Sequence, residues 1–343
     1  MKLRKITLGI AALMVTVTSC NKDDESTSTV PDRDRAEVYA EDIVEIEEYL
    51  ETHFYNYEEF DFGDPYSLAN DTYKIVVSEI PEGNPDNVTS LMDSPELSFK
   101  MVTDPSDETI EYKLYYLTVR EGLGSHLNFI DQAFVSYEGT LSDETVFDSA
   151  VTPVSFNLTT VGLTSGVVTG FRESLLEFKT STGFTDNGDG TLTYHGHGIG
   201  MSFIPSGIGY FSQPIGDVDS YTPIFFKFNL VDTVILDHDN DGIPSYLEDL
   251  DGDKDVFSDD TDEDVSPNFL DTNDDGDSLL TVDEIEKVEY IVDTNIGEME
   301  PILASNEYEV DRSEEDGVIT INTIILTDSN SDGIPDYLDD TIE

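Results

Sequence analysis

Three stretches near the C-terminus repeat one twelve-residue pattern without a gap. They are Asp237 to Glu248 (DHDNDGIPSYLE), Asp260 to Asp271 (DTDEDVSPNFLD) and Asp328 to Asp339 (DSNSDGIPDYLD). Each places a carboxylate or Asn at positions one, three and five, Pro at eight, an aromatic at ten, Leu at eleven and an acid at twelve. Alternate oxygens on a tight loop, closed by a later carboxylate, suit a caged calcium ion. The expected ligands are Asp237, Asp239, Asp241 and Glu248 in the first repeat, and Asp260, Asp262, Asp264 and Asp271 in the second. The third offers Asp328, Asn330, Asp332 and Asp339. A solvated acidic tail is the alternative, but random acidity does not set Pro-x-aromatic-Leu at a fixed offset three times. The expectation is structural Ca2+, without which this region largely unfolds because so few apolar residues serve so many like charges.

Charge divides the chain at the same place. Residues 237–343 hold 36 acidic and 3 basic residues, whereas residues 1–236 hold 39 and 13. The formal net charge of −59 over 343 residues excludes nucleic acid as a partner, because a phosphate backbone demands basic patches. A fourth loop, Asp271-Thr272-Asn273-Asp274-Asp275-Gly276-Asp277, resembles the start of an EF-hand and adds Asn273, Asp275 and Asp277 as ligands. Its closing acid, Asp283 or Glu284, falls one or two places late, so no EF-hand helix is expected after it. Asp251, Asp253 and Asp255 form a further cluster. The three gapless segments resemble thrombospondin type-3-like calcium repeats. Residues 285–327 interrupt the array, with Val318 to Leu326 reading as a strand.

The first twenty residues, MKLRKITLGIAALMVTVTSC, read as an address. Lys2, Arg4 and Lys5 precede a short apolar run, and Val17-Thr18-Ser19 leads into Cys20, the only cysteine. This resembles a bacterial lipoprotein signal with Cys20 as the lipidated residue. The following Asn21-Lys22-Asp23-Asp24-Glu25 resembles the tract that sends Bacteroidetes-type lipoproteins to the outer face of the outer membrane. A cell-surface lipoprotein is expected, with a periplasm-facing one as the second choice. Residues 21–35 read as a flexible tether. One cysteine leaves no disulfide within the chain.

Ala36 to His53 carries apolar residues at spacings of three and four and reads as an amphipathic helix. With residues 54–111 it forms an expected accessory segment in which no chemistry stands out. Tyr73 to Ile80 and Leu97 to Val102 are strand candidates there. In 112–235 the expected strands are Glu111 to Arg120, Ala133 to Leu141, Pro153 to Leu158, Gly200 to Pro205 and Pro223 to Thr233, with Asp143 to Ser149 a turn followed by an edge. One helical stretch, Val167 to Lys179, falls among them. The order gives an α+β fold, an antiparallel sheet wrapped on one helix. An N-terminal accessory helix precedes it and a calcium-loop tail, residues 236–343, follows. Asp186-Asn187-Gly188-Asp189-Gly190 reads as a hairpin turn, and His195 and His197 as incidental rather than a metal pair.

The segment Val135 to Ser149, VSYEGTLSDETVFDS, is followed by Pro153 to Phe156, Val167 to Phe171, Ile204 to Tyr210 and Phe226 to Leu230 in turn. This ordered set resembles the FKBP-type peptidyl-prolyl cis–trans isomerases and covers about a third of the chain. One position departs, Glu144 standing where the family has Gly. The resemblance implies a pocket lined by Tyr137, Phe147, Val167, Val168, Phe171 and Tyr210, with Phe156 and Phe226 completing its wall and Asp148 at its edge. Tyr210 would offer its hydroxyl, and Val168 its N–H, to a peptide carbonyl. It implies isomerisation of X–Pro bonds in extracytoplasmic protein clients, with no cofactor for catalysis. A non-catalytic peptide-binding module and a calcium-dependent surface scaffold are the alternatives. Oligomeric state is not legible.

Overall fold

The structure, a computed structural model, describes residues 31–81, 83 and 88–342. The expected signal and Cys20 lie outside them, as does most of the tether. Asp34 caps the first helix, α1 (Arg35–Thr52), its carboxylate accepting from the Glu37 N–H at 2.9 Å. A short pair follows, β1 (His53–Tyr55) with β2 (Val77–Glu79). Then come β3 (Leu97–Asp104), β4 (Asp107–Arg120), β5 (Gln132–Thr140), β6 (Val146–Asn157) and α2 (Thr169–Leu175). The hairpin β7 (Phe184–Asp186) and β8 (Leu192–Tyr194) precedes β9 (Gly198–Ile204) and β10 (Ile224–Val234). The acidic region adds β11 (Ile285–Asp293), β12 (Glu307–Glu315) and β13 (Val318–Leu326).

Six strands pair antiparallel in the order β3-β4-β9-β10-β5-β6. Alternation sends successive side chains to opposite faces, and here both faces are buried. Tyr112, Leu114, Phe226, Phe228 and Leu230 pack with Phe171 and Leu175 of α2. Tyr115, Leu117, Phe203 and Phe225 pack with Ile46, Tyr49 and Leu50 of α1 and with Tyr55, Phe60, Tyr73, Ile75 and Leu91. Each such side chain, fully buried, contributes roughly 1.5–3 kcal/mol relative to exposure. The sheet is therefore covered by a helix on each side, not by one alone. The accessory segment supplies the second cover, and β4 starts at Asp107, so it crosses the expected boundary at residue 112.

The edge expected after the turn at 143–149 and the short strand expected at 153–158 are one edge strand, β6, which starts at Val146 once the turn is complete. The expected helix from Val167 to Lys179 is regular only over Thr169–Leu175. The β7–β8 hairpin turns through Gly188 (φ 76°) and Gly190 (φ 91°), as the Asn-Gly and Asp-Gly pairs predict. In the acidic region β11, β13 and β12 form a three-stranded antiparallel sheet in that order. It does not merely interrupt the repeats. Ile243 of the first repeat and Tyr337 of the last pack together with Ile324 of β13.

Candidate functional site

The nine residues of the expected pocket come from six segments of chain and converge on the α2 face of the large sheet. Phe171 of α2 and Phe226 of β10 are almost wholly buried, their centroids 4.5 Å apart. Around them Tyr137, Phe147, Phe156, Val167, Val168 and Tyr210 are only partly buried. Phe147 meets Phe226 edge-on at 5.6 Å, and Tyr137 meets Phe156 edge-on at 5.4 Å. Such edge-to-face contacts suit the ring quadrupole. The result is a continuous aromatic surface, floored by buried rings and open to solvent at its rim.

Register explains the arrangement. Gly139 of β5 stands opposite Asp148 of β6 and Phe226 of β10. A Cβ there would meet Phe147 Cζ at 2.6 Å and Phe226 Cε1 at 2.9 Å. Only glycine lets the two rings close over the strand.

The polar groups sit at the rim. The Tyr137 hydroxyl donates to Asp148 Oδ2 at 2.6 Å. Burial, then that hydrogen bond, holds the Tyr137 phenol well above its ordinary pKa. Burial and next the Asp148 charge raise Tyr210 as well. Both phenols are therefore donors at neutral pH. Among the described residues the Tyr210 hydroxyl has no hydrogen-bond partner, and neither has the Val168 N–H. Two donors thus remain free beside an apolar floor.

The turn that carries Tyr210 is held from outside, by residues that sequence reading passed over. The 3-10 turn Ser206–Ile208 is gripped by α1. Asp42 Oδ2 accepts from the Ser206 N–H at 2.8 Å and its hydroxyl at 2.7 Å. Burial pushes the Asp42 carboxyl up to about 6 despite those bonds. Arg35 donates to the Gly207 carbonyl at 3.1 Å, pairs with Asp104 at 2.7 Å and lies 4.0 Å from the Phe211 ring. The buried Asp42 in an otherwise apolar helical stripe is the signal that could have revealed this.

His195 and His197 belong to one hydrogen-bonded network with Asp71 and Arg120. Asp71 pairs with Arg120 at 3.0 Å, both side chains fully buried, and Asp71 also contacts His195 Nδ1 at 2.8 Å. The Arg120 guanidinium reaches His197 Nδ1 at 3.1 Å and its carbonyl at 2.7 Å. Burial opposes the Asp71 charge, but His195, the Gly196 N–H and Arg120 outweigh it and hold the carboxyl low.

The acidic loops form a second candidate site. Carboxylate oxygens lie within 4.8 Å of one another in Asp237, Asp239 and Asp241, in Asp260, Asp262 and Asp264, and in Asp275, Asp277 and Glu284. Two further groups are Asp241, Glu248 and Asp274, and Asp249, Asp251 and Asp259. The backbone repeats with the side chains. Asn240, Gly252, Glu263 and Ser331 have φ of 66°, 78°, 61° and 61°, and two residues later Gly242, Lys254, Val265 and Gly333 have 110°, 70°, 87° and 97°. Asp249 therefore opens a further repeat, which the sequence hid because Pro-x-aromatic-Leu is missing. Its cluster is Asp249 and Asp251 with Asp259, not Asp251, Asp253 and Asp255.

The fourth loop is also shifted from its expected start. Counted from Asn273, acids fall at positions three, five and twelve, Asp275, Asp277 and Glu284, which is the EF-hand ligand spacing. A 3-10 turn, Thr281–Asp283, lies within it and β11 follows directly, with no helix, as expected. In the last repeat Asn330 donates to Asp332 at 3.2 Å and Asp339 at 2.7 Å, so its acids are bridged by an amide. Asp271 gives one oxygen to the Asn273 N–H at 3.0 Å.

Buried carboxylate oxygens without partners cost free energy unless something compensates. Here Asp239, Asp241, Glu248, Asp259, Asp260, Asp274, Asp275, Asp277 and Glu284 each carry at least one. Burial first, then neighbouring carboxylates, push Glu248 up to about 10 and Asp274 to about 9. An all-oxygen donor set of this density fits a hard divalent cation such as Ca2+.

Residues 238–317 match the family described as BamM C-terminal, 80 of the 343 residues. No curated protein matches the chain. Similar solved structures include a peptidyl-prolyl cis–trans isomerase of Pseudomonas syringae pv. tomato, 20% identical with a TM-score of 0.29, the match covering 41% of this chain and 82% of that one. FkpA of Escherichia coli is 24% identical with a TM-score of 0.28, covering 39% of this chain and 51% of its own. The three FKBP domains of wheat FKBP73 are 18% identical with a TM-score of 0.28, covering 40% and 51%. This chain thus spans about half the length of the last two. Among the described residues no helix is long and apolar enough to cross a membrane.

Proposed function

We propose that residues 97–234 form an FKBP-type peptidyl-prolyl cis–trans isomerase acting on X–Pro bonds of extracytoplasmic proteins. The observation that carries this reading is the convergence of Tyr137, Phe147, Phe156, Phe171, Tyr210 and Phe226 on one aromatic surface with free donors at its rim. Unaided rotation about the X–Pro amide faces a barrier of about 20 kcal/mol. No covalent step is required. Phe147, Phe171 and Phe226 hold the pyrrolidine ring out of water, where amide resonance weakens and the twisted amide becomes relatively favourable. Tyr210 and the Val168 N–H orient a flanking carbonyl, and the Tyr137–Asp148 bond fixes the rim. No cofactor takes part.

The acidic region is a calcium-stabilised module in this reading, and Cys20 carries the lipid anchor that puts both on a membrane. The match to the BamM C-terminal family supports an outer-membrane-associated setting. The test is catalysed refolding of a proline-limited substrate protein. The chain should accelerate the slow phase, Tyr210→Phe should lower kcat/KM by about tenfold and Phe147→Ala by more. A folded wild-type chain that leaves the slow phase unchanged would favour a non-catalytic peptide-binding module.

A further inference from the structure

Four carboxylates from two loops face one another at the start of the acidic region. Asp239, Asp241 and Glu248 come from the first repeat, and Asp274 from the loop 33 positions beyond Asp241. Each aspartate is half used. Asp239 Oδ1 accepts from the Asp241 N–H at 3.3 Å, Asp241 Oδ1 from the Ile243 N–H at 2.7 Å, and Asp274 Oδ2 from the Thr281 hydroxyl at 3.1 Å. The remaining oxygens, Asp239 Oδ2, Asp241 Oδ2 and Asp274 Oδ1, are buried without a partner, and so are both oxygens of Glu248. Asp241 and Asp274 are 2% exposed and Glu248 is 0% exposed, so bulk solvent does not reach them. One oxygen from each of Asp241, Glu248 and Asp274 lies within 4.8 Å of the others, close to twice a calcium–oxygen distance.

We infer that Asp274 is a ligand in trans, and that a divalent cation of calcium type held by Asp241, Glu248 and Asp274 cross-links the first repeat to the fourth loop. Asp274 occupies the second position of its own loop, counted from Asn273, and groups with Asp241 and Glu248 rather than with Asp275, Asp277 and Glu284. It is therefore free to serve a neighbour. The four bare oxygens of Asp241, Glu248 and Asp274 provide at least half of the six to eight ligands that calcium takes. Carboxylates brought together without a cation oppose one another's ionisation, whereas one shared ion turns that opposition into a tie between segments far apart in sequence. The inference rests on the calcium reading proposed above and adds to it a ligand and a connection between repeats.

Calcium titration of the whole chain by calorimetry tests it, with Asp274→Asn beside a control outside every acidic cluster, Glu314→Gln on the exposed edge strand β12. Asp274→Asn should weaken one binding event by roughly 10- to 100-fold and lower the melting temperature in calcium. Glu314→Gln should leave that event unchanged. Absence of any binding to wild type would remove the calcium reading itself, and the cross-link with it. Binding by wild type that Asp274→Asn leaves unaltered would overturn the cross-link alone. Should the variant fail to fold, a crystal of the wild-type chain grown with terbium decides the matter. The inference requires an ion about 2.3–2.6 Å from Asp274 and Glu248 together. An ion held by residues 237–248 with Asp274 turned away would overturn it.

Discussion

Glu144 stands where the resembled family has Gly, and its backbone shows why Gly is usual there: φ is +64°, in the left-handed region. The departure is compensated, because the Glu144 carboxylate accepts from the Tyr49 hydroxyl of α1. A residue that looks like a defect in the motif thus joins the accessory helix to the β5–β6 turn, beside the bond from the Ser142 hydroxyl to Glu45. Sequence alone exposes the substitution but not its partner, since Tyr49 is 95 positions away. His197 makes a similar point. Burial, then the Arg120 charge, lowers its pKa from 6.5 to about 4. Between those values the unfolded chain binds more protons than the folded one, so the contribution of His197 to stability is complete above pH 6.5 and declines as pH falls toward 4. His197→Gln should flatten the fall in urea midpoint between those two pH values. An unchanged slope would mean that the ring is not held neutral by the Arg120 network.

At the scale of elements, the strands that alternate cleanly were legible and the edge strands were not. β10 reads directly from Phe226, Phe228 and Leu230, because one face is wholly buried against α2. β6 lies at the sheet edge with most side chains exposed, so no period marks it and it reads as two fragments. β12 is an edge strand too, and the charged run EYEVDRSEE gives no apolar signal. The aromatic cluster was legible because its motif order is dense, whereas the α1 contacts that hold the Tyr210 turn depend on pairing across the sheet. Gly139 joins the two levels. Gly139→Ala should cost about 1–3 kcal/mol by overpacking, and Phe147→Leu in the same chain should recover part of it. Equal urea midpoints for Gly139→Ala and wild type would show that the rings do not close over β5.

At the scale of the molecule, the sheet domain and the acidic region share a small core. Phe129 and Ile130 pack with Val256 and Phe269, and Lys254 reaches Glu173 of α2 at 2.9 Å. Sequence composition separated the two regions by charge and gave no hint of this joint, which rests on single apolar residues scattered among aspartates. Chelation should therefore open residues 237–342 to protease while the six-stranded sheet keeps its far-ultraviolet signature. Equal protection with and without chelator would exclude cation-dependent folding of the loops.

The packing of Ile243 on Tyr337 also sets a timetable. Those residues are 94 positions apart. A polypeptide emerging from the ribosome or a translocation channel N-terminus first has its early sheet complete while the partner of Ile243 is still unmade. The first repeat must wait, its apolar face open, until Ile324 and Tyr337 have appeared. A premature stop between β13 and Tyr337 would leave that face uncovered, marking an unfinished copy for removal by quality-control proteases.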